Sequence, residues 1–151
     1  MTELPDAELL AALVSNVTET MCGISFCPEG PLLDEGAHAW RVAALPISGD
    51  RPLRVVLSSD QKSCEGLGSA LLHYPAAELD PEMIDDSLCE LLNMAAGQIK
   101  RALSIDQALG LPKIVPGAAG EALFQAAKRG GILLRSRGPL DLLIWVTEEL
   151  S

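Results

Sequence analysis

The sequence predicts an α+β domain in which long helices pack on one face of a mostly antiparallel sheet. Three observations carry that expectation. Two long stretches, Asp6–Met21 and Asp80–Ser104, place apolar residues at helical spacing. The strand candidates come in pairs joined by short turns, as hairpins do: Ala37–Ile47 with Leu53–Ser58 across "SGDRP", and the two halves of "GGILLRSRGPLDLLIWV" across "RGP". No linker is long enough to separate two bodies, so the 151 residues are read as one domain spanning 1–151.

The first helix repeats Leu9, Leu10, Leu13, Val14 and Val17. Asp6 is its expected N-cap and Gly23 its end. "ISFC" then predicts a short strand, followed by the turn-rich loop "PEGPLLDEG". In the Ala37–Ile47 strand, Trp40, Val42 and Ala44 alternate as a half-buried strand requires. Asp60 is placed to cap a second helix running to about His73, weakened in its middle by Gly66 and Gly68. "YPAAELDP" turns the chain, and Asp80-Pro81 opens the longest helix with an N-cap and a first-position proline. "LGLPKIVPG" reads as a short strand, "GEALFQAAKR" as a helix, and the C-terminal hairpin closes the domain.

Composition narrows the function. The chain carries 21 acidic against 11 basic residues, a formal net charge of −10. That field repels phosphate backbones and anionic lipid, which argues against nucleic acid and membrane as partners. Aromatic residues are only 3%, too few for stacking platforms. The start "MTELPDAELL" lacks the basic, apolar pattern of a signal peptide, and Cys22, Cys27, Cys64 and Cys89 are scattered without a CxxC pair. Both features fit a cytoplasmic protein with reduced thiols. The spacing of these cysteines with His38 or His73 is wrong for zinc, so no metal site is assigned. His73, beside Tyr74 and Pro75 at a helix end, reads as structural rather than as a phosphotransfer histidine. Trp40 and Trp145 read as core or interface anchors.

The long helix holds the unusual residues. Advanced at 3.6 residues per turn, one side collects Ile84, Leu88, Leu91, Leu92, Ala95, Ile99, Ala102 and Leu103. The other collects Asp86, Glu90, Asn93, Gly97 and Arg101, with Ser87, Met94 and Lys100 alongside. Asn93 forgoes a few tenths of a kcal/mol relative to alanine and Gly97 about 1 kcal/mol. The apolar period continues past both, so neither ends the helix. Glu and Asn at this spacing are often only solvated, and a mid-helix glycine often serves to pack a neighbouring helix. The alternative is a low patch that another surface must approach closely. No nucleophile–base pair, Walker loop or HExxH appears.

The pattern Asp86-x-x-x-Glu90-x-x-Asn93-Met94-x-x-Gly97 resembles the motif helix of the chemotaxis phosphatase family that includes CheX, CheC and FliY. "ETM" at Glu19–Met21 and "LGLP" at Leu109–Pro112 are similar to the segments flanking that helix. A single motif helix resembles the CheX type. The resemblance implies a phosphatase acting on the phosphoaspartate of a CheY-like receiver domain. Glu90 and Asn93 would be the catalytic pair, with Asp86, Met94, Gly97 and Arg101 meeting the partner. It implies no cofactor of the chain's own, Mg²⁺ in the receiver, and a possible homodimer. Glu90 would dock on the lysine that receivers hold beside the phosphoaspartate. Asn93 would orient the attacking water, while Gly97 and the small Ala96 leave room for the receiver's loops. Lys113, Pro116 and the long Gly117–Arg129 segment depart from the family pattern at the sheet edge. A non-catalytic module that binds a receiver or another signalling partner is the alternative.

Overall fold

The computed structural model describes residues 6–30, 38–49, 52–103 and 108–148. Helix α1 spans Ala7–Cys22 and begins where expected, the Asp6 carboxylate accepting from the Leu9 amide at 2.8 Å. Gly23 ends it in the left-handed region, φ 71°, where a Cβ would be strained. Strand β1 is Phe26–Glu29, two residues later than "ISFC" suggests, because Ile24 is occupied in closing the helix: its carbonyl accepts the Thr18 hydroxyl. Strands β2 (Arg41–Ser48) and β3 (Leu53–Ser59) form the first hairpin. Residue 37, where the sequence starts this strand, lies outside the described residues.

Helix α2 runs Gln61–Leu72 with the Asp60 carboxylate on the Ser63 amide at 2.7 Å. His73 is its left-handed C-cap, its amide donating to the Ser69 carbonyl, which is a structural role. After a single turn at Ala76–Glu78 comes α3, Pro81–Leu103, capped by Asp80 on the Met83 amide at 2.8 Å. "LGLPKIVPG" supplies two short strands instead of one, β4 (Ala108–Leu109) and β5 (Lys113–Ile114). Helix α4 (Gly117–Gly130), β6 (Ile132–Ser136) and β7 (Leu142–Glu148) complete the order.

Among the described residues, seven strands make one sheet in the order β1-β6-β7-β3-β2, with β4 and β5 both on the outer edge of β2. Every pairing is antiparallel. The break between β4 and β5 has a local cause. Pro46 has no N–H to offer that edge, so only its carbonyl is paired, with the Gly110 amide at 2.7 Å. The register slips by one residue there, a bulge that lifts Leu111 out to 76% exposure.

Helices α1, α2 and α3 cover one face of the sheet. Leu10, Val14, Leu67, Leu88, Leu91, Leu92 and Ile99 meet Ala43, Leu45, Ile47, Val55, Leu57 and Ile144 in the main core. Helix α4 is the addition to the expected one-sided arrangement. It lies on the opposite face, where Phe124 and Ala127 cover Val42, Val56, Leu133, Leu143 and Trp145. Phe124 meets Trp145 edge-on at 5.2 Å. β2 is buried on its main-core face by Ala43, Leu45 and Ile47; of the alternating set expected from the sequence, Val42 is buried under α4, Ala44 is half-buried, and Trp40 packs on the main core instead. Gly120 lets α4 start close to the sheet edge, since a Cβ there would run into the Val115 carbonyl oxygen.

A polar hub ties the end of the sheet. Arg135 donates twice to Asp141, from Nε and Nη2, each at 2.8 Å. Buried His38 meets the same carboxylate at 2.6 Å, and Ser63 Oγ accepts from the Asp141 amide. The Arg135 guanidinium, ahead of the His38 contact, holds the Asp141 carboxyl down at about 2, from an ordinary 3.8. Because the folded state favours the ionised form, this stabilisation is full above about pH 4 and is lost as pH falls toward 2. Asp141→Asn should therefore lower neutral-pH stability by about 1–2 kcal/mol, given the partial exposure of the pair. It should also flatten the loss of stability below pH 4 in urea unfolding, and an unchanged acid limb would count against the hub.

Candidate functional site

Helix α3 positions the candidate side chains by its burial pattern. Ile84, Leu88, Leu91, Leu92, Ala95 and Ile99 are buried, while Asp86, Glu90, Asn93 and Arg101 are exposed and Gly97 lies between them. The helical period thus sets the four polar residues in one outward stripe. Neither Glu90 nor Asn93 bonds another side chain or pairs with a charge among the described residues. Both keep their full hydrogen-bonding capacity for something outside the chain.

Gly97 is the most informative of these residues. Among the described residues, a Cβ built on it would meet nothing within 4 Å. It is not there to let a neighbouring helix pack, unlike Gly66 and Gly68, whose added Cβ atoms would run into Leu140 and Leu79. The helix accepts a poor former with no intramolecular return, and the stripe beside Asn93 stays low.

Neighbouring acids divide by role. Asp85 accepts from Arg41 Nε at 3.1 Å, and the same guanidinium lies 4.1 Å over the Trp40 ring. This cluster anchors the first half of α3 to β2, while Asp86, one residue on, stays exposed. Cys89 lies next to Glu90, but burial, then Asp85 and Asp86, push its thiol up. Burial likewise pushes Cys64 to about 12, with Asp60 adding to it. The thiolate is the nucleophilic form, so neither is poised for attack. All four cysteines are free.

Three sequence expectations need correction. Ser87 is buried, its hydroxyl donating to the Met83 carbonyl, because it lies under α2 at Gly68. Ala96 is also fully buried and leaves no room for a partner; the clearance comes from Gly97 alone. Met94 is half-buried and packs on the main core, so it offers only an edge to the surface. Two features were not foreseen. The Arg41–Asp85 tie joins elements far apart in sequence. The Arg135–Asp141 pair did leave a trace, opposite charges flanking the "RGP" turn. His38, Asp60 and Asp141 bring ligand-type atoms within 4.8 Å of one another. Asp141 is committed to Arg135 and His38, and Asp60 to the α2 cap, so this cluster serves the fold.

The sequence model of the family described as Chemotaxis phosphatase CheX matches residues 41–132, which include all of α3. The chain belongs to the CheX family. Solved structures agree in fold. The CheX crystal structure from Vibrio vulnificus is 18% identical and superposes with a TM-score of 0.68 over 93% of each chain. A CheX–CheY–BeF3–Mg²⁺ complex from Borrelia burgdorferi gives 0.73 at 16% identity, over 98% of this chain and 100% of the other. Thermotoga maritima FliY gives 0.55 at 13% identity, over 97% and 91%. At these identities the likeness is one of fold. No curated protein matches the sequence. Among the described residues no helix is long and apolar enough to cross a membrane.

The geometry at Gly97 makes a prediction about the isolated chain. Gly97→Ala should stabilise it by about 0.5–1 kcal/mol, since helix propensity rises and nothing is displaced. Thermal unfolding reads this directly. A lower Tm for the variant would mean that Gly97 packs inside the molecule after all.

Proposed function

We propose that this CheX-family chain hydrolyses the phosphoaspartate of a CheY-like receiver domain, with Asn93 positioning the attacking water and Glu90 docking on the receiver's lysine. The observation that carries the reading is the outward stripe of α3, where unpaired Glu90 and Asn93 stand beside a glycine that no packing requires. Membership of a chemotaxis phosphatase family supports it, as does the fold shared with a CheX solved in complex with CheY, BeF3 and Mg²⁺.

The chemistry asks little of this chain and much of its geometry. An acyl phosphate is already activated. Water attacks phosphorus in line, the bond from phosphorus to the aspartyl oxygen breaks, and the products are phosphate and a free carboxylate. The receiver brings the phosphoryl group and the Mg²⁺ that neutralises its oxygens. This chain adds a group that holds the water on the far side of phosphorus. An amide can accept from the water and donate to a phosphoryl oxygen, and it brings no negative charge to an anionic centre. A carboxylate at position 93 would add one. Glu90 sits one turn earlier, where its charge finds the lysine ammonium rather than the phosphoryl oxygens. Asp86 extends the acidic end of the stripe.

Phosphate release from Mg²⁺-loaded, phosphorylated receivers tests the assignment. Asn93→Ala should cut kcat by about 100-fold with little change in half-saturating receiver concentration. Glu90→Ala should raise that concentration about tenfold. Wild-type protein that never accelerates receiver dephosphorylation, yet binds the receiver, would leave only the non-catalytic module. A homodimer belongs to the same proposal. Leu111, 76% exposed on the β4–β5 edge, is the apolar surface that such a pair would cover. Sedimentation equilibrium should then show wild-type dimer and Leu111→Asp monomer, and a monomeric wild type at micromolar concentration would remove the dimer.

A further inference from the structure

A groove of about 470 Å³ runs between α1 and α3, lined by Leu13, Asn16, Val17, Gln98, Arg101 and Ala102. Its walls are apolar at Leu13, Val17 and Ala102, and three hydrogen-bonding side chains line it: Asn16, Gln98 and Arg101. None of those three side chains bonds or pairs within the molecule among the described residues. A guanidinium, two carboxamides and an apolar wall on one open groove suit a polypeptide segment: carbonyls and a carboxylate for the donors, aliphatic stems for the wall.

Position ties this groove to the stripe. It begins one residue past Gly97, the point of clearance. At 1.5 Å per residue, Arg101 lies about 12 Å along the helix from Asn93. A body that sets its phosphoryl group over Asn93 and passes over Gly97 therefore reaches the groove. Charge points the same way. The stripe is acidic at Asp86 and Glu90 and cationic at Arg101, so it has a direction. A partner seated the other way round would set its Mg²⁺ and lysine against Arg101 and its carboxylate against Glu90. Like-charge contact at both ends disfavours that orientation.

We infer that the α1–α3 groove is the second contact of the same receiver: it takes a loop carrying a carboxylate about 12 Å from the phosphoryl group, paired with Arg101. Asn16 and Gln98 bond that loop's backbone. The inference rests on the phosphatase reading and adds partner selection to it. Arg101 is a specificity-determining residue and touches no reacting atom. Receivers lacking an acidic residue at that distance are poor substrates.

Phosphate release at varied receiver concentration reads this, with Arg101→Glu, the double variant Asn16→Ala/Gln98→Ala, and Lys100→Glu as a control on the stripe's other side. Arg101→Glu should raise the half-saturating concentration about tenfold while kcat stays within about twofold, and the effect should shrink in high salt. The double variant should move the same parameter less, and Lys100→Glu hardly at all. Reversing the acidic residue of the receiver loop to lysine should restore Arg101→Glu. If Arg101→Glu saturates with wild type, or loses kcat as Asn93→Ala does, the groove is not this contact, although the phosphatase stands. If wild type neither releases phosphate from a receiver nor binds one, the phosphatase reading falls and takes the partner assigned to the groove with it.

Discussion

The apolar face of α3 is the constraint on which the rest depends. Ile84, Leu88, Leu91, Leu92 and Ile99 are all buried against the sheet and its neighbouring helices. Five such side chains are worth about 10 kcal/mol as an upper estimate. Against that, the penalties at Asn93 and Gly97 sum to little more than about 1 kcal/mol. The helix can therefore carry two unfavourable residues on its outer face without loss of order. A loop could offer the same groups but would have to be ordered at each encounter, at about 1–2 kcal/mol per residue. Rigid presentation suits the proposed reaction, whose catalysis is mostly positioning.

Anchoring and exposure are separated along this helix. Asp85 is tied to Arg41, which in turn lies over Trp40, so the first half of α3 is fixed to β2. One residue later the chain turns outward at Asp86, and the stripe runs from there to Arg101. The thiol that lies nearest to it is held protonated by burial and by two aspartates. What remains is a surface with hydrogen-bonding groups, charge of both signs and no nucleophile. Such a surface suits the proposed role of completing another protein's site.

Much of this was legible from the sequence because it rests on local rules. Asp6, Asp60 and Asp80 cap the helices expected of them, and Gly23 ends the first. The period of α3 separates Glu90, Asn93 and Arg101 from the core without any knowledge of the fold. What escaped was long-range. Ala96 and Ser87 lie at the borders of the apolar arc, where burial is decided by what packs alongside: for Ser87 that is α2. The sequence marks α4 as a helix, but only the sheet topology puts it on the second face, where Phe124 meets Trp145. The split of one expected strand into β4 and β5 follows from Pro46, which can be seen only once β2 is known to be its partner.

In the proposed complex the outer stripe of α3 enters the receiver's phosphorylation site, where a metal probe can find it. With Mn²⁺ in place of Mg²⁺ in a beryllofluoride-activated receiver, paramagnetic broadening in this chain depends steeply on distance from that site. The strongest loss of NMR signal is expected at the Asn93 side-chain amide, then at the Glu90 and Gly97 backbone amides, fading toward Arg101. Broadening centred on the β4–β5 edge or on α4, or none at saturating receiver, would contradict it.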